Sequence, residues 1–435
     1  MIERYHSTVL VRMDEARSFH APGVVDVEDG RVVWAGAAAH APDRREAIEH
    51  RLDGLVMPAF VDAHCHTPMV LLRGAGEGLP MMRWLTEVMW PREGRLTADD
   101  VYWGMTHGAA ELLRNGVGTS VEMYFQPEAV AEAVVASGMR ATITPPLLVG
   151  DAFAGFGTWE DQLAAMATLA DEWAGHPLIE VGLGPHSAYA VAEEALRGVA
   201  ELAAARRLLV QIHLAEQRDE AAELEARVGA TVPAYLERLG LLDTHLLAAH
   251  AVWLTDDDID VLARRSVGVA HCPVSNGKHA SGIARVDDLR ARGVPVGLGT
   301  DGPASNNRLD PFDEMRMAIR LARLRSLDAS RLGPWDVLAM ATREAADAIW
   351  RADVGALEPG RWADMVLVGL DGPAFAPVVD EGDVVTHLVW SGSSADVRSV
   401  WVGGRQVVHD GEAVTVDGAR AAAEVNRRAS RLAAG

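Results

Sequence analysis

The sequence predicts an α/β protein, a (β/α)8 TIM-type barrel with a small β-sandwich domain formed from both chain termini. Three observations predict it. Eight short apolar runs recur through the middle of the chain, Val/Ile/Leu-rich and continuous rather than alternating, as strands buried on both faces are. Helix-period stretches such as ADDVYWGMTHGAAELLRNG and AEEALRGVAELAAARR separate them, and eight strand–helix units in series close into a barrel. The two ends of the chain instead carry short strands and turns, and they resemble each other. The units share nothing beyond strand-then-helix, so a barrel fits better than a solenoid.

Residues 1–56 contain STVLVRM and GVVDVEDGRVVWAG and lead into HRLDGLVMPAF. Within them EDGRVVWAG reads as a hairpin, an Asp-Gly turn between alternating runs. The barrel, residues 57–355, is built on the runs LVMPAFVDAHCH, which begins at Leu55, GTSVEMYF, ATITPPLLV, IEVGLGPHSA, LLVQIHLAE, LLAAHAVWL, VGVAHCPVS and VPVGLGTDG. Residues 356–435 return to short strands, GRWADMVLVGLDG, VTHLVWSG and VRSVWVGGRQVVHDGEAV. They end in VDGARAAAEVNRRASRLAAG, an amphipathic surface helix. A chain of 435 residues suits one large barrel with a satellite.

Composition narrows the function classes. A formal charge of -22 argues against nucleic acid or an anionic membrane as partner, since both select basic faces. The expected partner is a small-molecule substrate. Cys65 and Cys272 are the two cysteines. They imply no disulfide framework, fit a reducing cytoplasm and read as small buried fillers. The first residues, MIERYHSTVLVRMDEARSF, do not read as a signal peptide, and no apolar run is long enough for a membrane span. Lys278 is the sole lysine and reads as a loop cation.

In such a barrel, chemistry sits at the carboxyl ends of the strands. The first run ends in His64 and His66, the fourth in His186, the fifth in His213 followed by Glu216, the sixth in His250 and the eighth in Asp301. Residues two apart on a strand point the same way, so His64 and His66 share the interior and Cys65 does not. Converging imidazoles repel when protonated and leave hydrogen bonds unmade when neutral. A divalent metal resolves both difficulties, with His213 as a third nitrogen and Asp301 as an anionic oxygen. Three His and one Asp leave room for a water.

At these residues the chain resembles the amidohydrolase superfamily in its mononuclear deaminase branch, and the methylthioadenosine/S-adenosylhomocysteine deaminases above all. The supporting stretches span nearly the whole chain: PAFVDAHCHTPMVLLRGAGEGLPMMRWL, TSVEMYF, GLGPHSAY, QIHLAEQRDE, AAHAVWL, HCPVSNGKHASGIARV and GLGTDGPASNNRLDPFDEMRMA. The resemblance implies that His64, His66, His213 and Asp301 hold one divalent metal ion, zinc or iron. Glu216 shuttles protons, His250 orients the attacking water and Asp301 takes its proton. Trp84 and Glu93 contact the nucleoside, Glu93 through the ribose hydroxyls, and His186 helps to hold the purine or ribose side. Some relatives hold two metals bridged by a carboxylated lysine. Lys278, on a loop after the seventh run, is the only lysine, so a single metal is expected. The resemblance also implies a homo-oligomer, which no patch of the sequence marks.

The expected activity is hydrolytic deamination of an adenosine-type nucleoside: adenosine, 5′-deoxyadenosine or methylthioadenosine. Relatives that take S-adenosylhomocysteine carry arginines after the third strand. Here TITPPLLVGDAFAGFGTWEDQL has none, and Asp151, Glu160 and Asp161 would repel a carboxylate. The alternative is a deaminase or chlorohydrolase acting on a free purine-like base or an s-triazine. A catalytically dead scaffold is disfavoured, because all four ligands, Glu216 and His250 are present.

Overall fold

The computed structural model describes residues 1–149 and 155–434. Eight strands follow one another around the barrel: Phe60–Cys65, Val117–Glu122, Arg140–Ile143, Ile179–Val181, Leu209–Leu214, His245–His250, Gly268–His271 and Val296–Leu298. Successive strands pair in parallel. Parallel bridges from Leu183 to Val210 and from Ser187 to His213 join the fourth strand to the fifth. Another, from Cys65 to Asp301, closes the first on the last.

The third and fourth strands are broken, with a local cause. Pro145 and Pro146 have no N–H to give, so the third strand stops at Ile143 and resumes as Pro146–Leu147. That piece pairs with Gly184–Pro185. At Gly182 between the two halves of the fourth strand, a Cβ would lie 2.5 Å from the Leu209 carbonyl oxygen.

The helix Ala98–Arg114 shows how the outer ring is framed. Thr97 and Asp100 form a reciprocal capping box that satisfies orphan N–H groups. The helix buries Val101, Met105, Leu112 and Leu113 and ends before Gly116, whose φ of +87° favours glycine.

Both termini enter one sheet. Its order is Glu412–Ala413, Arg405–His409, Val397–Val402, Met365–Val368, Ile48–Pro58, Ile2–Val11, Gly23–Glu28, Arg31–Ala37, with Phe19–His20 beside Ile2–Val11. Where two packed sheets were expected, the ladder is continuous, because Met365–Val368 hydrogen-bonds directly to Ile48–Pro58. The sheet covers its own small core, including Tyr5, Leu10, Val25, Val32, Met365 and Trp401. The expected hairpin is present, with Asp29 and Gly30 both at positive φ between Gly23–Glu28 and Arg31–Ala37.

Strand Ile48–Pro58 runs past residue 56 and is separated from the first barrel strand by Ala59 alone. Some of the chain after 356 packs on the barrel rather than the sheet. The helix Glu381–Trp390 rests on Pro311–Ser326 and Pro334–Met340. The helix Gly418–Ala434 lies against Ala98–Arg114, where Arg428 pairs with Asp99 and Asp100.

Buried Arg140, on the third barrel strand, grips Asp364 beside the sheet through two parallel bonds, Nε to Oδ2 at 2.9 Å and Nη2 to Oδ1 at 3.0 Å. Among the described residues no helix is long and apolar enough to cross a membrane.

Candidate metal and catalytic site

The polar strand tips converge. His66 Nδ1 lies 2.6 Å from the Met123 carbonyl oxygen, and His213 Nδ1 lies 2.7 Å from that of His186. A carbonyl only accepts, so both rings carry their proton on Nδ1 and leave Nε2 bare. Those two Nε2 atoms face each other at 3.3 Å. His64 is fully buried and its Nε2 has no partner. The Gln211 amide nitrogen lies 2.5 Å from His64 Nδ1, and Thr144 Oγ1 lies 3.2 Å from Gln211 Oε1. Turning that amide over lets Oε1 accept from Nδ1–H and bares the third Nε2 as well. Asp301 Oδ1 sits 3.5 Å from His64 Nε2 and 3.4 Å from His66 Nε2.

Facing lone pairs in a dry site repel, and a cation among them removes the repulsion. The residues therefore fit a metal. Two overlapping groups bring their ligand atoms within 4.8 Å of one another: His64, His66 and Asp301, and His64, His213 and His250. Imidazole nitrogens with a carboxylate oxygen are a zinc-type donor set.

Electrostatics agree. Burial lowers His64 to about 4 and holds His213 well below its ordinary value, so both imidazoles are neutral at neutral pH, as metal binding requires. Burial pushes Asp301 up, but the neighbouring His64, His250 and His66 hold it well below the usual carboxylate range. Its Oδ2 accepts from Ser275 Oγ at 2.5 Å and Ser305 Oγ at 2.8 Å, and its Oδ1 from the Gly302 amide at 2.8 Å.

Glu216 follows the fifth strand. Its Oε1 accepts from Ser281 Oγ at 3.2 Å, and its Oε2 lies 3.8 Å from His250 Nε2. Burial raises the Glu216 carboxyl, helped by the Asp301 charge. His250 donates from Nδ1 to Asn276 Oδ1 at 2.9 Å. Burial alone would lower His250, yet the carboxylates of Glu216 and Asp301 raise it overall. Ala215, His250, Ala251 and Asp301 all adopt left-handed φ between +48° and +70°. Non-glycine residues adopt that conformation uncommonly, and where they cluster the strain often marks a functional site.

Comparison with known proteins places the chain. The sequence pattern of the amidohydrolase family matches residues 55–407. The chain belongs to the amidohydrolase family. The 5-methylthioadenosine/S-adenosylhomocysteine deaminase of Moorella thermoacetica is 40% identical over 412 residues, covering 93% of this chain and 94% of that protein. The 5′-deoxyadenosine deaminase of Methanopyrus kandleri is 36% identical over 400 residues, covering 91% of each. Among solved structures, an adenosine deaminase from Xanthomonas campestris with bound zinc superposes with a TM-score of 0.94 at 32% identity, over 99% of this chain and 98% of that one. The histidine-rich cluster and this zinc-bound relative support a divalent metal in this amidohydrolase.

The same strand ends open into a cleft lined by Trp84, Glu93 and His186 together with His213, Glu216 and Asp301. Trp84 N–H donates to the Ala75 carbonyl at 3.1 Å and its ring meets His279, so it offers the cleft a surface and not a donor. Glu93 ends the short helix Trp90–Glu93 and is buried, which raises its carboxyl to about 7. The His186 ring lies 4.6 Å from that of His213, tilted by 40° to it, and burial lowers His186 to about 3.

Of the three acidic residues expected to repel a carboxylate, Glu160 and Asp161 do not line the cleft. Glu160 and Asp161 lie exposed in the first turn of Trp159–Glu172, where Asp161 caps Thr158. Asp151 lies outside the described residues. Lys278 Nζ donates to the Ala304 carbonyl at 3.0 Å and pairs with Glu77 at 3.2 Å, which ties the loops after the eighth and first strands.

Several supporting residues of this amidohydrolase site went unnoticed in the sequence. Gln211 was readable, being two before His213 on one strand and so facing the same interior. Ser275 and Asn276 stand directly after the seventh strand in HCPVSN. Ser281 and Ser305 carry no local signal.

Proposed function

We propose that this amidohydrolase is a metal-dependent hydrolytic deaminase of an adenosine-type nucleoside, with adenosine, 5′-deoxyadenosine and methylthioadenosine as substrates. One observation carries the reading: three imidazole nitrogens and a carboxylate converge beside the buried acid Glu216 and His250, at the floor of a cleft walled by Trp84 and Glu93. The names of the relatives support the substrate class. The cleft lining contains no arginine or lysine among the described residues, so the carboxylate of S-adenosylhomocysteine would find no charged partner. A neutral 5′ group fits better.

His64, His66, His213 and Asp301 would hold one zinc ion. Zinc supplies Lewis acidity that brings proton loss from water into the neutral range. His250 Nε2 points toward Glu216 and holds the attacking water between them. Asp301, kept ionised by its imidazole neighbours, accepts one proton from that water. Glu216, kept protonated more readily by burial, gives its proton to the ring nitrogen next to the amine-bearing carbon. The water oxygen bonds to that carbon. The proton on Asp301 passes to the amine, the C–N bond breaks and ammonia leaves. The remaining O–H proton returns to Glu216, giving a ring carbonyl beside N–H. A non-ligand glutamate serving as acid and base is the general logic of zinc deaminases.

The test is an ammonia-release screen of the purified protein across adenosine, 5′-deoxyadenosine, methylthioadenosine, S-adenosylhomocysteine, guanine-type bases and s-triazines. The reading requires the neutral nucleosides to lead in kcat/KM. A free base or triazine in front would overturn it.

A further inference from the structure

Tyr124 carries a hydroxyl that is buried and has no hydrogen-bond partner, and the residue lines the cleft. Buried phenols usually find a partner, because an unpaired one loses its hydration for nothing. The chain holds this ring firmly. Tyr124 is 1% exposed, packs edge-on against Phe125 and directly follows Met123, whose carbonyl anchors His66. The hydroxyl lies close enough to the Glu93 carboxyl to act on it both as a charge neighbour and as a weak donor, but the two fall short of an aligned hydrogen bond, so the phenol is free to turn to a ligand.

The two groups complement each other toward one kind of ligand. An ionised carboxylate accepts only, whereas a phenol also donates. A vicinal diol offers two O–H donors and two acceptor oxygens. Glu93 can take the donors, and a diol oxygen then still needs a donor. Trp84 cannot supply it, since its N–H is committed to Ala75.

We infer that the Tyr124 hydroxyl is a specificity contact that donates to one oxygen of the substrate's ribose diol while Glu93 accepts from the diol hydroxyls. This rests on the nucleoside reading above.

The experiment compares wild type with Tyr124→Phe, both zinc-loaded, on adenosine, 2′-deoxyadenosine and 3′-deoxyadenosine, with metal content and Tm recorded for each protein. Loss of one neutral hydrogen bond should raise KM for adenosine about three- to tenfold, with the larger part of the effect on KM rather than kcat. For the deoxynucleoside that lacks the contacted oxygen, the substitution should change KM little. The discrimination shown by wild type then shrinks in the variant. Tyr124→Met provides a second side chain without the hydroxyl if the phenylalanine variant fails to fold. Equal effects on all three nucleosides, or none on adenosine, overturn the inference and leave the nucleoside reading standing. A wild-type enzyme that releases no ammonia from any nucleoside overturns both.

Discussion

Replacing Glu216 by glutamine separates proton transfer from everything else that this residue does. The side chain is buried, with one oxygen on Ser281 Oγ at 3.2 Å and the other 3.8 Å from His250. Glutamine keeps the length and planarity, and its carbonyl oxygen still accepts from Ser281. Its amide N–H can donate a hydrogen bond to a ring nitrogen but is far too weak an acid to transfer a proton to it. Packing and the Ser281 bond are retained, so unfolding free energy should move by no more than about 1 kcal/mol. Metal content should not fall, because Glu216 is outside the proposed ligand set. A positioned acid–base group contributes about 10²- to 10⁴-fold. At 1.36 kcal/mol per tenfold, that is about 3 to 5 kcal/mol of barrier. The assay is steady-state ammonia release by Glu216→Gln, with metal measured by mass spectrometry and stability by urea denaturation. A variant that keeps more than about a tenth of the wild-type kcat would refute the assignment. So would one whose loss of rate tracks loss of metal.

Glu93→Gln should behave oppositely in stability and function. Burial raises the folded carboxyl to about 7 from 4.5, so ionisation costs stability as pH rises from 4.5 through 7 and the whole cost is present above 7. The variant should match wild type near pH 4 and exceed it by up to about 3 kcal/mol at pH 8, while KM for nucleosides rises. A stability difference that ignores pH would contradict this. Arg140→Leu strands buried Asp364 and should cost about 3 to 5 kcal/mol in urea denaturation, and the double variant with Asp364→Leu should recover much of it. No recovery would mean that packing, not charge pairing, dominates there. Lys278→Arg removes the only amine side chain that could be carboxylated and keeps the cation against Glu77. Metal stoichiometry and kcat should stay near wild type, and loss of a second metal ion would disprove the single-metal reading.

The barrel was legible because parallel strands buried on both faces leave continuous apolar runs, and the chemistry was legible because His64, His66, His213, His250 and Asp301 all stand at the ends of those runs. His64 and His66 show this best, since the strand period of two fixes their common direction before anything else is known. The terminal sheet was harder. Nothing local to Met365–Val368 says that it will pair with Ile48–Pro58, because the partner lies some three hundred residues away in the chain. Glu160 and Asp161 were misread for the converse reason. The local signal, Thr158 followed three residues later by an acid, is a helix start, and that claim on Asp161 outweighs any role toward a ligand. Tyr124 escaped notice because its importance lies in a partner it does not have, and only the surrounding atoms can reveal that.

The stretch HCPVSNGKH explains how the separate strand tips act together. The seventh strand places no residue in either ligand group, yet the short helix that follows it, Pro273–Lys278, reaches three parts of the site. Ser275 holds Asp301, Asn276 holds His250, and Lys278 ties the loop after the eighth strand to Glu77 in the segment that leads to Trp84 and Glu93. His250 and Asp301 sit at left-handed φ, an arrangement that costs on the order of 1 kcal/mol or more at each residue unless neighbours enforce it. Ser275 and Asn276 hold the side chains of these two residues. A helix that contributes no ligand of its own thus fixes the orientation of two groups on which the proposed chemistry rests.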